Sequence, residues 1–192
     1  MILYLHGFRS SPQSAKAGMV RDTLNARGHG SRLISPQLPP SPRAAMQLAR
    51  ALVADVPAAS LAVIGSSLGG FYATALAEAT GCRAVLLNPA VCPARGLAAH
   101  VGRQQAWHSK DPFEFLPEYI DELTELEVAS ITQPERYFLV AATGDEVLDW
   151  REMVAHYPGA HQRVIEGSDH GLSDFAHYID EVLAFCQEQH RD

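Results

Sequence analysis

Three short stretches carry residue types that could do chemistry together: GSSLGG at 65–70, TGDEVLD at 143–149 and EGSDHGL at 166–172. A serine hydroxyl attacks a carbonyl only when a base takes its proton and an acid orients that base. The three stretches offer one candidate for each role. Gly65-Ser66-Ser67-Leu68-Gly69 fits the G-x-S-x-G spacing only with Ser67 at its centre, because centring it on Ser66 puts the bulky Ile64 and Leu68 at the flanks. The spacing has a steric cause. A nucleophile on a tight strand-to-helix turn leaves no room for side chains two residues before and after it, so glycine is favoured there. The same turn sets Ser67 at a helix N-terminus, where the Leu68 amide and the helix dipole can stabilise a developing oxyanion. Ser66 reads as a packing or hydrogen-bonding neighbour, and Gly70 as room for close helix–strand packing.

Nine histidines compete for the base. His29, His156, His161 and His190 lie in polar or helix-end contexts that suit the surface. His100 and His108 lie in an irregular central stretch and could at most touch a substrate, and His177 falls within an amphipathic helical pattern. His170 stands in a Gly/Ser-rich loop directly after the last strand-like run, at the same sheet edge as Ser67, and is the candidate base. The acid should leave the intervening strand, where TGDEVLD offers Asp145, Glu146 and Asp149. Asp145 follows the strand by a Thr-Gly turn and can swing toward His170, with Val147 anchoring the loop in the core. Asp149 better suits the N-cap of a helix from Trp150. Asp169 is a weaker rival, since adjacent loop residues seldom face one another. The resulting order is Ser67, Asp145, His170. A second oxyanion donor is expected from the loop after the first strand: in LYLHGF, Gly7 allows a sharp turn and the Phe8 amide can face Ser67. His6 reads as structural, its ring bonding loop backbone.

Positioning these groups at one edge requires strands that alternate with helices. Apolar runs at Ile2–Leu5, Ser31–Ile34, Leu61–Ile64, Ala84–Leu87, Arg136–Ala142 and Gln162–Ile165 are mostly continuous, as in strands covered on both faces. Helical patterns fall at Ala15–Ala26, Arg43–Ala54, Leu68–Ala79, Asp149–His156 and Ser173–Gln189. The alternation predicts an α/β fold: a three-layer α/β/α sandwich around a mainly parallel sheet of about six strands. Two stretches interrupt it. SPQLPPSPR at Ser35–Arg43 must be an extended loop. Residues 94–135, with DPFEFLPEY and DELTELE, look like a cap-like insertion of one or two short helices in a single domain spanning 1–192.

The chain has 192 residues, 47% of them hydrophobic, and a formal net charge of −7 from 22 acidic and 15 basic residues. The acidic balance disfavours nucleic acid as a partner, and no apolar run reaches the length of a membrane span. MILYLHGF has no basic leader before its first strand, so no secretory signal is expected. Three cysteines, Cys82, Cys92 and Cys186, lack metal or disulfide spacing and suit free thiols in a reducing cytoplasm.

These pieces together resemble the α/β-hydrolase superfamily, and more closely the small bacterial YqiA-type esterases. The matching residues are YLHGF-x-SSP-x-SAKA at Tyr4–Ala17, PQLPP at Pro36–Pro40, GSSLGG-x-YAT at Gly65–Thr74, NPAV at Asn88–Val91, TGDEVLD at Thr143–Asp149 and EG-x-x-H at Glu166–His170. The resemblance implies a minimal form of the fold and carboxylesterase-type hydrolysis by Ser67, Asp145 and His170. Such an enzyme acts on a small-molecule acyl ester or thioester, with Phe8 and Leu68 amides as oxyanion donors and neither metal nor organic cofactor required. The insertion is where the chain departs from the family pattern and where selectivity would reside. An acyl pocket could draw on Phe8, Phe71, Trp107, Phe113 and Phe115, although these aromatics equally suit local core. Two rival functions follow. Arg9, Arg95 and Arg103 could meet the phosphates of an acyl-CoA thioester, and a non-catalytic binding protein could retain the fold.

Overall fold

A computed structural model of the chain describes residues 1–105 and 112–187. It begins with β1 (Ile2–Leu5), α1 (Ala15–Ala26), β2 (Leu33–Ile34), α2 (Pro42–Val53), β3 (Ala62–Ser66), α3 (Leu68–Thr80) and β4 (Arg83–Leu87). There follow α4 (Pro93–Leu97), β5 (Gly102–Gln105), β6 (Pro112–Phe115), α5 (Glu118–Glu125), β7 (Tyr137–Ala142), α6 (Trp150–His156), β8 (His161–Ile165) and α7 (Ile179–Gln187). Six strands form one sheet in the order β2-β1-β3-β4-β7-β8, and every pairing in it is parallel.

The continuous apolar runs acquire two buried faces because successive side chains alternate across the sheet. Leu3, Leu5, Val63, Leu86, Leu139 and Ala141 pack against α2, α3 and α6 on one side. Ile2, Tyr4, Ile64, Val85, Phe138 and Val140 pack against α1 and α7 on the other. The three layers follow from that alternation. Helix α2 buries Pro42, Ala45, Met46, Ala49 and Val53, a stripe at helical spacing, and Ser41 caps it by accepting the Ala44 N–H at 3.1 Å. Helix α3 is buried along Leu68–Ala77, which makes it the central helix behind the sheet edge.

Three expectations shift. The central stretch holds not only short helices: β5 and β6 pair antiparallel, Gly102 opposite Phe115. The last helix starts at Ile179 rather than Ser173. Leu172 takes φ +50°, and Asp174 accepts from Ser168 Oγ (2.5 Å) and Tyr178 Oη (3.0 Å), holding residues 173–178 in turns and a 3-10 segment. Likewise β2 is only two residues long, because Gly30–Arg32 coils into a 3-10 turn before it. Trp107, His108 and His190 lie outside the described residues. Among the described residues no helix is long and apolar enough to cross a membrane.

Candidate active site

The sheet reverses its winding between β1 and β3: the chain leaves β1 for β2 on one side and returns to β3 on the other. The crevice at the carboxyl ends of such a pair is where α/β sheets bind ligands. Leu5 lies opposite Gly65 in register, so His6-Gly7-Phe8 and Ser66-Ser67 emerge side by side.

Ser67 joins β3 to α3 with φ +55° and ψ −121°, a backbone that L-residues adopt only under constraint. The glycines around it are required by contact. A Cβ on Gly65 would collide with the Gly69 carbonyl oxygen, and one on Gly69 with the carbonyl oxygen of Leu5. Gly70 answers to a different neighbour from the one expected, since its Cβ would lie 2.6 Å from Pro89 Cβ in the loop after β4. Leu68 opens α3, so its N–H has no partner within the helix. Gly7 presses on Ser67 from the β1 side, where a Cβ would come within 3.1 Å of Ser67 Cβ. Phe8 is the next residue along that turn.

His170 reaches across the same edge. Its Nε2 lies 3.1 Å from Ser67 Oγ and its Nδ1 lies 2.8 Å from Asp145 Oδ2. A carboxylate only accepts, so Nδ1 carries the proton and Nε2 is left to accept from the serine. The Asp145 side chain is fully enclosed, while that of His170 is 21% exposed. Asp145 Oδ1 accepts the N–H groups of Val147 and Leu148, both at 2.8 Å. That turn sends Leu148 toward the core and leaves Val147 62% exposed, so Val147 is not the anchor the sequence suggested. Glu146 accepts the His170 main-chain N–H at 3.0 Å. Asp149 caps α6 through the Arg151 N–H at 2.9 Å. Asp169 is turned away, accepting the Ser173 N–H at 2.9 Å, a bond that holds its carboxyl below the usual range.

His6 is structural, as its context implied: Nε2 accepts the Leu38 N–H at 3.0 Å and Nδ1 faces the Gly7 carbonyl oxygen at 2.9 Å, tying the PQLPP loop to the Gly7 turn. Lys16, quoted only as part of a motif, reaches the site from α1. Its Nζ donates to the carbonyl oxygens of Gly171 (2.7 Å) and His170 (3.4 Å). Burial drives its ammonium down to about 8, against the opposing pull of Asp169 and Asp145. Among the described residues no group of three or more His, Cys, Asp or Glu side chains could hold a metal ion.

The model of the Uncharacterised protein family (UPF0227) matches residues 1–187. The chain belongs to this family. Solved structures, among them an alpha/beta hydrolase domain-containing protein from mouse, share its fold. A putative hydrolase from Agrobacterium vitis S4 superposes with a TM-score of 0.75 at 18% identity, over 97% of this chain and 87% of the other. Est1E from Butyrivibrio proteoclasticus gives 0.68 at 18%, over 97% and 85%. A monoacylglycerol lipase from Paleococcus ferrophilus gives 0.67 at 15%, over 96% and 94%.

In this UPF0227 chain a cavity of about 740 Å³ opens beside Ser67 and His170, walled by Phe8, Ala90, Val91, Leu97, Leu148 and Met153. Of the expected aromatics among the described residues, Phe8 alone lines it. Phe71 and Phe115 are core residues, 4% and 1% exposed, and Phe113 faces Phe8 edge-on from the far side. His100 does reach this wall, its ring 5.8 Å from that of Phe8. Arg95 also lines the cavity but is paired with Glu152 at 2.7 Å, and Arg9 donates to the Gln105 carbonyl oxygen at 2.8 Å.

Proposed function

We propose that this protein is a serine hydrolase that cleaves carboxylic esters through an acyl-enzyme on Ser67. The observation that carries the reading is the position of His170, within hydrogen-bond reach of Ser67 Oγ on one ring nitrogen and of Asp145 on the other. Ser67 attacks the carbonyl carbon as His170 Nε2 takes its proton. The N–H groups of Leu68 and Phe8 receive the tetrahedral oxyanion, and His170 returns the proton to the departing alcohol. Water then repeats the sequence to release the acid. Asp145 keeps the imidazole in the productive tautomer throughout.

The substrate class is a small acyl ester, supported by the apolar wall of the cavity. Residues 94–135 serve as a cap, since α4 supplies Arg95, Gly96 and Leu97 to that wall. Arg95 is already neutralised by Glu152, which favours an ester over a phosphate-bearing thioester.

The test is labelling with a fluorophosphonate, followed by hydrolysis of short and long p-nitrophenyl esters and of acyl-CoA. We expect wild-type protein to be labelled and to turn over the esters, and Ser67→Ala to lose labelling and about 10⁴-fold or more in kcat/KM. An unlabelled wild type inactive on every substrate identifies a binding protein with the same fold. Labelling that persists in Ser67→Ala removes the nucleophile assignment.

A further inference from the structure

The three loops that carry Ser67, Asp145 and His170 leave different strands, yet the reaction needs them held to within a fraction of an ångström. One side chain bonds the supports of the Asp145 and His170 loops, and its chain neighbours hold the Ser67 turn. Asn88 follows directly on β4, the strand between those that carry Ser67 and Asp145. Its Oδ1 accepts the Ala142 N–H at 2.8 Å, at the end of β7 where the Asp145 loop departs. Its Nδ2 donates to the carbonyl oxygens of Asp169 (3.0 Å) and His170 (3.2 Å). The residues beside it hold the nucleophile: Ser67 N–H donates to the Leu87 carbonyl oxygen at 3.0 Å, and Ala90 N–H to that of Ser67 at 3.1 Å.

The orientation of this amide is chemically fixed. Ala142 offers only a donor, and the two loop carbonyls only accept. Asn88 is wholly buried, so water cannot replace any of the three bonds. Its backbone sits at φ +44°, the left-handed region that asparagine tolerates better than most residues. Leucine matches the shape and makes none of the bonds. Aspartate keeps the bond to Ala142 but turns a second oxygen toward two carbonyl oxygens.

We propose that Asn88 is a positioning residue that sets the spacing between the acid loop and the base loop around Ser67, so that its amide governs how well His170 is aligned between Asp145 and the nucleophile. This rests on the serine-hydrolase reading above.

The experiment compares wild type, Asn88→Asp, Asn88→Gly (which keeps the positive φ) and Ser67→Ala, each assayed below its own thermal midpoint. Tyr157→Phe serves as a stability control, since it deletes only the hydroxyl that meets Thr74 at 2.9 Å within the α3 packing. We expect kcat on a p-nitrophenyl ester to fall about 10²-fold in both Asn88 variants, the size of effect a 1 Å misplacement produces, with KM nearly unchanged. The fluorophosphonate labelling rate should fall in parallel. The acid limb of the pH–rate profile of the uncharged Asn88→Gly should move to lower pH, because a loosened carboxylate stabilises the imidazolium less. Tyr157→Phe should lose stability and keep kcat and the profile. Wild-type kcat and profile in a folded Asn88→Asp or Asn88→Gly, with Ser67→Ala inactive, overturn the proposal alone. Loss of the fold in both variants overturns it too, as the amide would then serve the sheet rather than the loop spacing. Retained hydrolysis by Ser67→Ala overturns the serine-hydrolase reading first and this proposal with it.

Discussion

His170 Nδ1 meets Asp145 through a carboxylate already engaged on its other side: Oδ2 faces the imidazole at 2.8 Å while Oδ1 holds the N–H groups of Val147 and Leu148. The loop thus pins the carboxylate through bonds independent of the imidazole. Asp145→Asn keeps an oxygen for the two amides but presents NH₂ to the ring, forcing the wrong tautomer. We expect kcat to drop about 10⁴-fold with little loss of stability. Asp149→Asn retains a competent N-cap at the Arg151 N–H, and its kcat should stay within about threefold of wild type. Equal losses in the two variants, measured on one ester, would move the acid role away from Asp145.

The glycines of the Ser67 turn make a sharper steric demand. Gly69→Ala sets a Cβ against the Leu5 carbonyl oxygen, and Gly65→Ala sets one against that of Gly69, in both cases backbone that cannot step aside. Each should cost about 1–3 kcal/mol in urea unfolding. Gly18, inside α1, is the counter-case, because nothing lies within 4 Å of its would-be Cβ. Gly18→Ala should gain about 0.5–1 kcal/mol from helix propensity alone. A neutral Gly69→Ala would show that β1 and α3 are not in close contact at the site.

Much of this was legible in the sequence because its signals are local. Continuous apolar runs such as Tyr137–Ala142 announce doubly covered strands, and G-x-S-x-G with a strand before it and a helix after it announces the turn. Gly102–Gln105 gave no such signal: its side chains are polar and alternate half-buried with exposed, so no apolar period marks the strand. Val147 misled for a related reason, since apolar character says nothing of an Asp145 turn that faces it outward. Asn88 was visible only as a letter in NPAV, because its partners Ala142, Asp169 and His170 lie 54, 81 and 82 residues away. Hydrogen bonds of that reach leave no mark on a single sequence.

Lys16 links the site to pH. Its ammonium is held down to about 8 by burial, against 10.5 for an ordinary lysine. Between those values the unfolded chain binds more protons than the folded one, so stability rises with pH across that window, and the full cost of the buried charge is present below it. Lys16→Met removes this dependence. The stability of wild type relative to the variant should therefore climb from pH 8 to pH 10 in paired thermal melts, all other titrations cancelling. A flat difference would mean that the ammonium is solvated rather than enclosed against the Gly171 carbonyl.

The segment proposed as a cap is tied down at one buried carboxylate. Glu122 of α5 accepts from Ser41 Oγ (2.7 Å), the Arg43 N–H (3.0 Å) and Arg43 Nη1 (3.3 Å), bonding both main-chain and side-chain donors at the start of α2. Its side chain is 9% exposed, against 62% for Glu125, which pairs with the same arginine at 2.7 Å. Truncating the buried partner strands a hydroxyl and a main-chain N–H, which should cost about 1–3 kcal/mol in Glu122→Ala. At roughly 2–4 °C per kcal/mol for a chain of this size, a calorimeter resolves that readily. Glu125→Ala removes a solvent-screened pair and should cost under about 1 kcal/mol. Because α5 stands apart from the Ser67–His170 edge, Glu122→Ala should raise KM for a long-chain ester through the loosened wall while leaving kcat on a short ester near wild type. A Glu125→Ala loss equal to that of Glu122→Ala would place the tether at the exposed pair instead.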